Sequence, residues 1–146
     1  MDNSSNVCTK GQVEKILSVL KTCVKEDRYK IALNMNRKEN MRFIQEYNLT
    51  DKKQKEILLK VGVNDFCGSV YNRKNGFGHE VLYVFSPRIT LWNMDGFEES
   101  VNIYIKLNIT LYSGNKHVIA VSFHKRQRMI YYPFHKLEMN QEGSYV

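Results

Sequence analysis

From Val101 to Leu111 the chain alternates without a break: Val101, Ile103, Ile105, Leu107, Ile109 and Leu111 are apolar, and Asn102, Tyr104, Lys106, Asn108 and Thr110 are polar. A period of two over this length is a strand with one face covered and one face wet, which commits the chain to a sheet. A second run follows at once. In His117–His124 the apolar set is Ile119, Val121 and Phe123, and Ser122 and His124 look the other way. If Tyr112-Ser113-Gly114-Asn115-Lys116 closes an antiparallel hairpin centred on Gly114, even positions pair with even, and both apolar sets share a side. Lys106 then stands opposite Ser122, and Tyr104 opposite His124.

A tyrosine, a lysine and a histidine within cross-strand reach of one another are a set suited to a phosphodiester. Cleaving RNA without a metal requires a group that takes the 2′-hydroxyl proton, a group that protonates the leaving 5′-oxygen, and positive charge beside the phosphate. A histidine serves either proton transfer near neutral pH, and a lysine supplies the charge. After His124 come Lys125, Arg126 and Arg128, then Ile130-Tyr131-Tyr132-Pro133-Phe134 and Lys136, with no acid between Lys125 and Lys136. Cations hold phosphates and aromatic faces stack unpaired bases, so Arg126, Arg128 and Tyr132 are expected along a single-stranded RNA path. Arg37 and Lys38, at the start of a helix, are further candidates for phosphate contacts.

Four short segments, Tyr83-Val84-Phe85, Tyr104-Ile105-Lys106-Leu107, Val121-Ser122-Phe123-His124 and Tyr132-Pro133-Phe134, occur in this order. Their order and gaps resemble the MqsR family of bacterial type II toxins, mRNA endoribonucleases with a RelE-like fold. The resemblance extends upstream to Leu49-Thr50-Asp51, a helix ending near Val63, and Asp65-Phe66, and it covers roughly residues 29–134. It implies a metal-independent mRNA interferase that inhibits translation on RNA, free or ribosome-bound, and a cognate antitoxin, typically one with a DNA-binding helix-turn-helix domain. It places the family's active-site tyrosine on Tyr104, its second basic residue on His124, and favours Tyr132 over Tyr131. Two assignments do not carry over, because the family's lysine and glutamine positions fall on Gly68 and Leu82. The chain also departs from the family in Gly68-Ser69-Val70-Tyr71-Asn72-Arg73-Lys74.

With 146 residues, 42% of them hydrophobic and 25% charged, the chain suits one globular domain, 1–146, with its own core. The net charge of +7 favours anionic partners, nucleic acid first and an acidic protein second. Cys8, Cys23 and Cys67 contain no CxxC pair, so neither a disulfide framework nor a zinc site is suggested, and reduced thiols in a cytoplasm are expected. No apolar stretch reaches the ~20 residues of a membrane span, and Met1–Ser5 lacks the character of a signal peptide. No carboxylate pair at metal-ligand spacing lies near the cluster, so no metal and no cofactor are expected.

Residues 1–8 are polar and expected to fray, and 135–146 form a tail. Thr9 with Gln12 reads as a capping box opening a helix whose stripe is Val13, Ile16, Leu17, Leu20 and Val24. That helix is also a candidate antitoxin surface. Tyr29, Ile31, Leu33 and Met35 alternate as a short strand. Asn36 with Glu39 suggests a second helix, to about Tyr47, and Thr50 a third, presenting Ile57, Leu58 and Val61 before Gly62 ends it. Gly68 to His79 reads as a loop. Strands follow near Val81–Phe85 and Ile89–Trp92, then a turn at Asn93-Met94-Asp95-Gly96. Helices first and antiparallel strands after argue for α+β, with the helices on one face of a mainly antiparallel, RelE/MqsR-like sheet. Two other classes share these features: a non-catalytic RNA-binding module, and a protein-interaction subunit whose charge serves an acidic partner.

Overall fold

Helix α1 (Lys10–Lys25) opens on the capping box the sequence predicts: Thr9 Oγ1 accepts from the Gln12 N–H at 3.1 Å, and Gln12 accepts from the Thr9 N–H at 2.7 Å. In the computed structural model, which describes residues 5, 6, 8–34, 37–71 and 80–134, α1 buries Val13, Leu17, Leu20, Cys23 and Val24. Ile16 is partly covered against the same core. Helix α2 (Lys38–Glu46) follows Arg37, which makes no side-chain cap; the expected capping residue, Asn36, lies outside the described residues. Helix α3 (Asp51–Lys60) is capped by Thr50, whose hydroxyl accepts from the Lys53 N–H at 3.3 Å. Gly62 does not end α3 through a left-handed turn. Its backbone is extended, and its N–H donates to Asp65 Oδ2 at 2.8 Å, which starts a short 3-10 turn at Val63–Asp65.

The strands are β1 (Ser5–Asn6), β2 (Tyr29–Ile31), β3 (Phe66–Tyr71), β4 (Val81–Phe85), β5 (Arg88–Trp92), β6 (Glu98–Tyr112) and β7 (Asn115–Lys125). They form a mixed sheet in the order β1-β3-β4-β6-β7-β2, with β5 pairing the far end of β6. The fold is α+β, as expected. Its helices and the inner face of its sheet share one core, in which Leu20, Phe43, Ile57, Leu58, Phe85 and Phe123 are buried. All pairs are antiparallel except β2 with β7, which run parallel. Two expectations fail here. Ser5 and Asn6 are not frayed but pair with Val70 and Ser69, and the expected loop from Gly68 begins instead as strand β3. At Gly68 the ladder to β4 shifts by a residue, and φ is +151°, a conformation open in practice only to glycine. The glycine that reads as a loop signal is therefore a bulge inside a strand. Residues 72–79 of that expected loop, Met35 of the expected strand, and the 135–146 tail lie outside the described residues.

β4 and β5 are one strand interrupted. Phe85 faces Ile105 and Arg88 faces Asn102, so the register against β6 is kept across Ser86-Pro87 with no residue gained or lost. The Ile103 N–H bridges the gap to the Pro87 carbonyl at 2.9 Å, and the Ser86 N–H turns to the Asp65 carbonyl at 2.8 Å. Proline has no N–H to return the bond, which is why the strand is broken here.

The β6–β7 hairpin reaches the expected pairing at its base by another route. Its loop is not centred on Gly114. Tyr112 pairs Asn115, and Ser113 and Gly114 both have positive φ, 53° and 82°, the signature of a two-residue type I′ turn. That turn pairs odd with even, as in Ile109 with Val118 and Leu107 with Ala120. A bulge at Val121 then adds one residue, so that Lys106 meets Ser122 and Tyr104 meets His124. The core face of β7 is accordingly Val118, Ala120 and Phe123. Ile119 and Val121, read from the sequence as core, are half-buried outside it, because the bulge reverses the alternation midway. No described helix is long and apolar enough to cross a membrane.

Candidate nucleic-acid site

The Val121 bulge needs partners, because β2 ends beside Ala120 and leaves the outer edge of β7 open. Asn40 of α2 closes it. Its amide donates to the Ala32 carbonyl at 2.8 Å and the Val121 carbonyl at 3.2 Å and accepts from the Phe123 N–H at 2.8 Å, with the residue fully buried. A single side chain thus continues the ladder past the end of β2 and fixes the strand that carries His124. Its sequence signal is a polar residue on the apolar stripe of α2, three positions before Phe43 and seven before Tyr47.

Beyond the bulge, Tyr104 and His124 stack with ring centroids 5.6 Å apart and planes 29° from parallel. The Lys106 Nζ lies 5.8 Å from the Tyr104 ring centroid. Three residues predicted from alternation therefore come together on one face. The His124 Nδ1 is 2.8 Å from the Lys125 carbonyl oxygen. A carbonyl only accepts, so that nitrogen carries the proton of the neutral ring and Nε2 is left as the acceptor. Burial, with a smaller contribution from Arg37, holds Lys106 below the ordinary lysine value. Burial, reinforced by Cys67 and opposed by Arg128, raises the Tyr104 phenol, keeping it a hydrogen-bond donor. Burial likewise pushes the Cys67 thiol up to about 12, so the cysteine beside the site is a thiol and not a nucleophilic thiolate.

A cleft of about 450 Å³ opens over this stack, lined by Val84, Tyr104, His124, Arg126, Arg128 and Tyr131 among others. Lys106 stands behind Tyr104 rather than in the lining. Arg126 continues β7 through its N–H to the Asn102 carbonyl at 2.8 Å. Its Nη1 donates to the Tyr132 hydroxyl at 2.6 Å, and that hydroxyl donates to the Ser86 carbonyl at 2.9 Å. Tyr132 therefore straps the segment after β7 onto the β4–β5 break, and Phe134 anchors it by stacking on Phe66 at 5.8 Å. The ring that lines the cleft is Tyr131, 77% exposed; the sequence favours Tyr132 instead. Lys125 turns away to Glu46 at 2.9 Å and to the Tyr47 ring. Arg37 is close enough to act on Lys106, while Lys38 opens α2 as an exposed residue with no tie to the cleft. Cys67 of β3 also lines the cleft, as Val84 of β4 does, and both are invisible to sequence reasoning because only the strand order brings them there, while Gln127 lines it between Arg126 and Arg128. Among the described residues, no three His, Cys, Asp or Glu side chains are grouped to share an ion.

No protein-family model, no curated protein and no solved structure matches this chain.

Proposed function

We propose that the protein is a metal-independent endoribonuclease that cleaves mRNA, acting in the cytoplasm as the toxin of a type II toxin–antitoxin pair. The observation that carries this reading is the Tyr104–His124 stack, with Lys106 beside it, beneath a cleft edged by Arg126 and Arg128. With RNA in the cleft, Nε2 of His124 takes the 2′-hydroxyl proton as the oxygen attacks phosphorus, and the same proton passes to the departing 5′-oxygen. The products are a 2′,3′-cyclic phosphate and a 5′-hydroxyl. Lys106, Arg126 and Arg128 offset the charge that builds on the phosphoryl oxygens, and the neutral Tyr104 phenol donates to one of them. The MqsR-like motifs and the charge of +7 support the same reading, and an acidic antitoxin with a helix-turn-helix domain is its natural counterpart.

A second reading, an RNA-binding module without catalysis, draws on Tyr132, whose hydroxyl is committed to Ser86 and Arg126 and so takes no part in a proton transfer. End-labelled RNA incubated with purified protein in chelator separates the two. Cyclic-phosphate ends that vanish in His124→Ala, by about 10²–10⁴ in rate, with RNA affinity kept, establish the nuclease. Binding with no new ends in either protein establishes the module.

A further inference from the structure

The outer face of the sheet does not stop at the cleft. On β6, Asn102, Ser100 and Glu98 lie on the same side as Tyr104, and they pair Arg88, Thr90 and Trp92 of β5. Those three are exposed, while Ile89 and Leu91 between them are buried. The β5–β6 ribbon thus extends the site's face by six residues from Tyr104 to Glu98, about 20 Å at strand spacing. Along it stand Arg88, exposed and held through Nε to Ser100 Oγ at 2.7 Å, and then Trp92, 57% exposed. A cation followed by an upturned indole repeats the pairing of Arg128 and Tyr131 at the cleft. At Trp92 the surface turns acidic, with Glu98 directly across the ribbon and Asp95 in the turn that follows, while Glu99 is committed to Tyr47 and Asn93.

We infer that single-stranded RNA leaves the cleft along this ribbon, with a phosphate on Arg88 and one base stacked on Trp92, where the acidic turn ends the track. The inference rests on the proposed RNA reading of the cleft and adds a second subsite that sets how long a substrate must be. Stacking on an aromatic ring is sequence-tolerant, so the subsite selects length and single-strandedness rather than a base.

Trp92 is the one tryptophan of the chain, so its fluorescence reports on this subsite alone. The probes are end-labelled 2′-O-methyl oligouridylates, which cannot be cleaved by 2′-attack, of about 4 and about 10 nucleotides, spanning the lower range of single-strand sites. Binding is followed by anisotropy and the indole by its emission. The longer oligomer is expected to quench Trp92 and the shorter to bind the cleft without quenching. Trp92→Ala should weaken the longer one about tenfold, the effect of losing one stacked base, and leave the shorter unchanged. Arg88→Gln should lower the salt slope of the longer one by about 0.7. If the longer oligomer binds at saturation with Trp92 emission unmoved, the track is wrong and the cleft reading stands. If neither oligomer binds, the RNA reading itself fails. Emission that shifts with protein concentration in the absence of RNA overturns the track in favour of a contact between copies through Trp92, Met94 and Phe97.

Discussion

Asn40 holds the strand that carries His124 through the backbone of Val121 and Phe123, although it does not line the cleft. Removing its amide leaves the Phe123 N–H and the Val121 carbonyl buried without partners, at about 1–3 kcal/mol each. Asn40→Ala is therefore expected to lose about 2–6 kcal/mol in urea denaturation, whereas alanine at the neighbouring exposed Glu39 should change little. Lys106 works in the opposite sense. Held below its ordinary value of 10.5 by burial, it binds fewer protons folded than unfolded, so it costs stability at neutral pH, and the cost fades as pH rises toward 10.5. Lys106→Met should be more stable than the parent at pH 7, with the gap narrowing at about pH 9.5, while RNA cleavage falls. A gap that stays constant across that range would mean Lys106 is not held below its ordinary value. Tyr104 and Lys106 were legible because the alternation of β6 runs unbroken, whereas His124 reaches its expected place opposite Tyr104 only because the bulge at Val121 offsets the two-residue turn. The swap between Tyr131 and Tyr132 was not legible, because it turns on a hydroxyl finding the Ser86 carbonyl of a distant strand.

At the scale of elements, α1 and α3 were legible through their caps and stripes, and β4, β5 and β6 through their period. The misread loop at Gly68 and the misread core face of β7 share one cause. Gly68 and Val121 are bulges, and a bulge leaves no periodic mark in its own strand until the partner is known. The turn of the β6–β7 hairpin offers a clean test, because Ser113 occupies a left-handed position, φ 53°, that asparagine tolerates better. Ser113→Asn should raise stability by about 0.5–1 kcal/mol and Ser113→Val lower it by about 1–2 kcal/mol, measured by thermal unfolding. Equal midpoints for the two would exclude the type I′ assignment.

For the whole molecule, the charge of +7 is less evenly useful than its sum suggests. Of the cations after His124, Lys125 is spent on Glu46, and Arg126 and Arg128 line the cleft. Replacing those two arginines by glutamine should reduce the salt slope of single-strand binding by about 1.4, each phosphate contributing about 0.7. A slope unchanged within error would assign them to a protein partner. The class, α+β with a covered sheet, was legible from the order of elements. The parallel seat of β2 was not, since a three-residue strand carries no sign of its partner.

That seat has a consequence in time. β2, at residues 29–31, completes the sheet against residues 118–120 of β7, so the second strand to be synthesised waits for the seventh. At about 5–20 residues per second of translation the wait is on the order of 5–20 s, and closing so long a loop late makes for slow folding. Because Arg126, Arg128 and the Tyr132 strap emerge later still, a nascent chain has no finished cleft until residue 132 has been made and can reach back to Ser86 on a strand completed long before.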